Sequence, residues 1–117
     1  MSAESIKISF SQAKAQANAI AEIAENMRAL AECEFSETIQ QISTAWSGES
    51  ARAYIAKAEK AKCKILTTAK TLAAVADEIR TEAKQIYDAE MRALEIAQQR
   101  FSGSSGGGGG GVGGRAL

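Results

Sequence analysis

Apolar residues recur every three or four positions from Phe10 to Trp46. The series runs Phe10, Ala13, Ala17, Ile20, Ala24, Met27 and Ala31, then Phe35, Ile39, Ile42 and Trp46. Steps of that size draw one stripe down an α-helix, with a single stutter near Glu34. A second series, Ala51, Tyr54, Ala58, Ala61, Ile65, Thr68, Leu72, Val75 and Ile79, keeps the same rhythm and continues more weakly through Ile86, Ala89, Ala93 and Ile96. No segment alternates as a strand would, and the chain has no proline. The pattern predicts an all-α fold with a core stripe of Phe10, Ile20, Met27, Phe35, Ile39, Ile42, Tyr54, Ile65, Leu72, Val75 and Ile79, shared within the hairpin or with a dimer partner.

The punctuation of these helices is sparse. Ser9 and Gln12 fit a capping box, with Ser9 as N-cap. Gly48 is the only glycine before residue 103 and stands two places after Trp46, the only tryptophan. A glycine ends a helix cheaply in the left-handed conformation. Ser47 is placed to cap the next helix, and Glu49 suits its N-terminal dipole. The expected organisation is therefore an antiparallel helix–turn–helix hairpin over residues 1–102. Helix 1 spans about 9–45, the turn 46–49 and helix 2 about 50–101, followed by a flexible glycine-rich tail, 103–117. A fold-back near residue 47 pairs residues whose numbers total about 95, so Ser9 lies opposite Ile86. At about 1.5 Å per residue the helices measure roughly 55 and 75 Å. Residues from about Tyr87 to Phe101 then overhang, and Met91, Leu94 and Ile96 make the overhang a place for a partner to bind.

Composition makes this body thin. Alanine supplies 23 of the first 102 residues and phenylalanine three. Burial yields only roughly 25 cal/mol per Å², so a lone hairpin with so little bulk is expected to complete its core against a partner. Basic and acidic residues number 14 each and are mixed along the chain, which argues against nucleic acid as a partner. No apolar run reaches the roughly 20 residues a membrane span needs. The N-terminal Met-Ser-Ala-Glu-Ser-Ile-Lys lacks the apolar stretch of a secretory signal peptide. The expectation is a protein that stays inside, or leaves by a route that does not read such a signal.

Catalytic chemistry is poorly provided for. Histidine is absent, which removes the commonest general base and zinc ligand. Cys33 and Cys63 are the only thiols. They are level in the hairpin but point away from the apolar stripes, so no intrachain disulfide is expected. Carboxylates such as Glu22, Glu25, Glu59, Asp77 and Glu78 interleave with lysine and arginine as a solvated face. The tail contains no Gly-Lys-Ser/Thr phosphate loop. No catalytic residue, metal, cofactor or small-molecule substrate is predicted, and the chain is expected not to be an enzyme.

Trp46-Ser47-Gly48, central in a proline-free helical hairpin of about 100 residues, resembles the WXG100 (ESAT-6-like) family over about residues 5–100. The resemblance implies a small protein exported by the type VII secretion pathway of Gram-positive and mycobacterial cells, folded and without a cleaved signal peptide. It implies an elongated four-helix bundle built by dimerisation, as a homodimer or a heterodimer. Trp46, Ser47 and Gly48 then form the turn, with the Trp46 ring beside the C-terminal helix end of the other protomer as a recognition surface. The family's export signal is a tyrosine followed four residues later by an acid. Here Tyr87 is in place, but the fourth position is Met91 and Glu90 falls one residue early. Either Tyr87 and Glu90 form a variant signal, or the partner supplies the proper one. A looser pattern of spaced apolar residues around an acid maps to Ile86, Glu90, Ala93 and Ala97. The glycine tail is not a family feature; it is either native, with Val112, Arg115 and Leu117 as a short terminal signal, or an added linker.

Four functions compete, the last of them a redox or metal enzyme. The first is an exported, non-enzymatic partner or secretion-system component that binds a secretion ATPase or a co-secreted effector. The second is an intracellular adaptor paired with the helical N-terminal domain of a larger type VII toxin. The third is a structural coiled coil in which Trp46 serves only the turn.

Overall fold

The computed structural model describes residues 2–106. Three α-helices and one π-helical turn follow in order: α1 (Ala3–Ala29), the π turn (Leu30–Phe35), α2 (Ser36–Ala45) and α3 (Glu49–Gly106). The first three form one continuous rod that α3 folds back along, giving an elongated all-α hairpin with extents of 92 × 19 × 12 Å. The described residues contain no strand.

Helix α1 begins earlier than the pattern predicts. Its N-cap is Ser2, whose Oγ accepts from the Ser5 N–H at 3.1 Å, satisfying a donor that a helix start leaves orphaned. Ser9 lies inside the helix. The reason is Ile6, only 2% exposed, which extends the Phe10–Ala13–Ala17 stripe one turn back and holds that turn against α3.

The stutter becomes the π turn. An α-helix with contact steps of three and four drifts out of register when two steps of four adjoin, as they do at Ala31, Phe35 and Ile39. One extra residue wound into the π turn absorbs the drift. The Ser36 hydroxyl donates to the Ala31 carbonyl at 3.0 Å, across the widened turn. Ala31, inside the turn, and Ile39, just beyond it, are both buried.

Trp46 ends α2 in extended conformation, φ −132° and ψ 129°, with its N–H still bonded to the Ile42 carbonyl at 2.9 Å. Gly48 then takes φ 107°, a conformation that L side chains resist. Its carbonyl accepts from the Arg52 N–H at 3.1 Å, so Gly48 rather than Ser47 holds the cap position of α3. A Cβ at residue 48 would meet nothing within 4 Å. Glycine is needed there for its backbone freedom, not for room.

Across the hairpin, Phe10 stacks on Tyr87 and Arg80 bonds Asn18. Those numbers total 97 and 98, two to three residues longer than the fold-back expected from sequence. With α1 starting at Ala3, which sits among Asp88, Met91 and Leu94, the paired region reaches Leu94. The overhang is therefore shorter than predicted and begins near Glu95. Helix α3 runs to Gly106, four residues into the segment expected to be a flexible tail. The rest of that tail, 107–117, lies outside the described residues.

The seam is made of the smallest side chains. Its buried apolar residues are Ile6, Ala17, Ala24, Ala31, Ile39, Ala51, Ala69 and Ala76, six of the eight being alanine. Phe10, Ile20, Met27, Phe35, Ile42, Ile65, Leu72 and Ile79 flank them half-buried. Tyr54 and Val75 lie outside this seam and are exposed. On α3 the seam follows Ala51, Ile55, Ala58, Ala69, Leu72, Ala76, Ala83 and Tyr87, sharing Ala51, Ala58 and Leu72 with the series read from sequence but using Ile55, Ala69 and Ala76 where that series has Tyr54, Thr68 and Val75. Alanines let two helices approach closely, so bulky side chains are displaced to the edges.

Candidate interaction surface

The broad sides of the hairpin differ in chemistry. At about 100° per residue, Glu4 and Glu22 of α1 lie at the outer edge, opposite the seam, and Lys7, Lys14, Glu25 and Arg28 fall on one side of the seam. There they adjoin Lys70, Asp77, Lys84 and Asp88 of α3. The other side of α1 carries Ile8, Gln12, Ala19, Ile23 and Asn26 and leads on to Leu30; no charge falls on it. Val75 and Ile86 of α3 continue that side, with Lys64 and Glu82 at its outer edge. Ile8, Ile23, Leu30, Val75 and Ile86 are all substantially exposed, from 38% for Val75 to 58% for Ile86. Reading a single stripe per helix misses this face. The signal for it is the absence of charge along Ile8, Gln12, Ala15, Ala19 and Ile23.

The charged side shows how its ions are held. Arg28 bridges Glu25 and Glu32, its Nε donating to Glu25 at 3.1 Å. The Arg28 hydrogen bond holds the Glu25 carboxyl below its ordinary value, against the opposing effect of desolvation. The same partnership raises Arg28, first through its hydrogen bond to Glu25. Arg80 is a cross-hairpin fastener: its Nε and Nη2 both donate to Asn18 Oδ1, at 3.2 and 2.8 Å, while Nη1 donates to Asp77 at 2.9 Å. Between Arg28 and Lys70 a shallow groove of about 400 Å³ opens over Ala24, Ala69 and Ala73. Alanines across the seam leave that volume unfilled.

At the tip, Trp46 is 47% and Tyr54 53% exposed, and their rings meet at 6.0 Å in a tilted arrangement. Ser47 and Gly48 are exposed beside them. The tip thus presents a paired aromatic surface on a backbone fixed by Gly48, and Tyr54 is brought into it although sequence spacing placed it in the stripe.

Tyr87 and Glu90 lie far from the tip, in the paired region rather than on the overhang. Both are half-buried. Tyr87 stacks on Phe10 at 4.6 Å and 26°, and Lys14 Nζ lies 5.2 Å from the Phe10 centroid, a cation–π distance. The overhang itself carries Ile96 and Phe101, the latter 80% exposed.

Cys33 and Cys63 are free and exposed. Among the described residues no group of three His, Cys, Asp or Glu side chains is placed to hold a metal ion, and no helix is long and apolar enough to cross a membrane. No family model matches the chain, and neither a curated protein nor a solved structure matches it.

Proposed function

We propose that this protein is a non-enzymatic, WXG100-like helical hairpin that is exported through a type VII secretion route and acts by pairing with a second hairpin. One observation carries the pairing: the seam buries only alanines and two isoleucines, while a broad face whose α1 side is uncharged leaves Ile8, Ile23, Leu30, Val75 and Ile86 in solvent. A hairpin of this size needs more buried apolar area than its seam supplies. A second hairpin laid on that face completes a four-helix bundle, and this chain itself is the first partner to test. The exposed Trp46–Tyr54 tip, set by Gly48, is the surface offered to the secretion machinery or to a co-secreted protein. Tyr87 and Glu90 enter as a variant export signal only through exposure of their outer edges, since Phe10 covers one face of the Tyr87 ring.

Light scattering on a sizing column tests the pairing. In 1 M salt, which screens contacts between exposed charges, the full chain is expected at twice the mass of one chain, and Ile23→Asp with Val75→Asp at the mass of one. A wild-type monomer would move the reading to the adaptor, whose broad face awaits a different chain such as the helical domain of a toxin. Export is tested by assaying the culture medium of cells with intact and with disrupted type VII secretion; equal amounts in both would refute that half of the proposal.

A further inference from the structure

Although the charges balance over the chain, they are segregated around the tip half of the hairpin. Residues 32–49 contain Glu32, Glu34, Glu37 and Glu49 and no basic side chain. Residues 52–70, which run back alongside them, contain Arg52, Lys57, Lys60, Lys62, Lys64 and Lys70 against Glu59 alone. The seam does not neutralise this separation. Lys60 and Lys64 lie one turn apart on the outer edge of α3, Lys57 shares the helical phase of Val75 on the broad face, and Glu34 and Glu37 turn outward from the opposite edge; all five are exposed. None of the five belongs to the ion pairs formed among the described side chains, which join Arg28 to Glu25 and Glu32, Arg80 to Asp77 and Lys84 to Asp88.

The two edges also match in height. Glu34 and Lys64 total 98, and Glu37 and Lys60 total 97, the same register that pairs Asn18 with Arg80 and Phe10 with Tyr87 inside the hairpin. Moving a copy sideways by one hairpin width, without shifting it along the rod, therefore sets Glu34 against Lys64 and Glu37 against Lys60. Cys33 and Cys63, both exposed, stand at this same height on the two edges.

We infer that copies of this chain associate side by side through these outer edges, acidic edge against basic edge. The contact is heterologous: each copy keeps one unused acidic edge and one unused basic edge, so the assembly stays open and grows. It goes beyond the pairing on the broad face and does not depend on it or on export. A membrane or polyanion is a poorer occupant of the lysine strip, because Glu34, Glu37 and Glu49 lie at the same end of the rod and repel it.

The test is cross-linking of the full-length chain with a short bis-maleimide, which joins two thiols without oxidising them. At low salt a ladder of dimers, trimers and larger species is expected. Cys33→Ser and Cys63→Ser should each abolish it, and a mixture of those two variants should stop at dimers. At 1 M salt, where screening acts within about 3 Å, the ladder should fade. Glu34→Lys with Glu37→Lys should suppress it, and adding Lys60→Glu and Lys64→Glu in the same chain should restore it. Circular dichroism checks that each variant stays helical. Cross-links persisting in either single-thiol variant, or indifferent to salt and to charge reversal, would overturn the inference. So would an absent ladder, with or without binding of the lysine strip to anionic vesicles.

Discussion

Gly48 is the residue at which backbone geometry bears most directly on the fold. Its φ of 107° lies beyond the small left-handed region that L residues occasionally visit. Because a Cβ there meets nothing within 4 Å, substitution adds torsional strain and no collision. Strain of this kind costs about 1–3 kcal/mol, or roughly a 5- to 150-fold loss in the folding equilibrium. Gly48→Ala should fall within that range, and Gly48→Val toward its top because a β-branched residue resists positive φ more strongly. The assay is urea unfolding followed by far-ultraviolet circular dichroism, at matched protein concentration so that any pairing equilibrium is common to all samples. Two controls isolate the cause. Ser47→Ala should shift stability by less than about 0.5 kcal/mol, as a surface change away from special features does. D-alanine at position 48, introduced by ligation, favours positive φ and should retain or exceed wild-type stability. An unchanged midpoint for Gly48→Ala would refute the reasoning. A D-alanine variant as weak as the L-alanine one would show that crowding, not torsion, is responsible.

Three further outcomes are expected. A double-mutant cycle on Phe10→Leu and Tyr87→Leu should return a coupling of about 0.5–1.5 kcal/mol for the stacked pair; additivity in urea unfolding would mean that the rings do not stack. Deleting Glu34 should leave the hairpin folded and its register intact, because the contact steps around Ala31 and Phe35 then alternate three and four without a π turn. Deleting Asn18 should instead rotate all preceding contacts by about 100° and lower the melting temperature sharply; equal effects of the two deletions would contradict the role given to the π turn. Glu25 should titrate below an ordinary glutamate by NMR and return to normal in Arg28→Met. A carboxylate lowered on folding contributes stability that is present above its unfolded pKa and lost as pH falls through the folded one, so this exposed cluster should weaken only under acid.

Much of helix 1 was legible because its stripe is written in large residues. Phe10, Ile20, Met27, Phe35, Ile39 and Ile42 have no bulky rivals at neighbouring seam positions, so their spacing reveals both the contact side and the break near Glu34. Helix α3 misleads for the same reason inverted. Alongside Ala51, Ala58 and Leu72 of the sequence series its seam uses Ala69 and Ala76, while Tyr54, Val75 and Ile86 face solvent, so at those positions bulk selects the flank instead of the contact. The start of α1 was obscured because Ser9 carries the capping-box partner Gln12, whereas the cap in use, Ser2, has Ser5 at that position; Ile6 fixes the earlier start through tertiary burial. Cys33 and Cys63 are both exposed, as their helical phase away from the stripes requires. The aromatic tip was legible as Trp46-Ser47-Gly48 but not as a pair, since Tyr54 joins it only once the chain has turned.

The hairpin is two helices wide and one thick. Side by side at the usual 8–10 Å separation, two helices present an end no larger than the 19 × 12 Å backbone cross-section plus a fringe of side chains. Any aperture a few ångströms wider than that admits the molecule end-on, tip first or open end first, with every backbone hydrogen bond intact. Once a second hairpin covers the broad face, the thickness doubles while the width stays the same. A channel or sieve that distinguishes a slot from a round hole would therefore separate the single hairpin from the bundle by shape alone, although both are the same length.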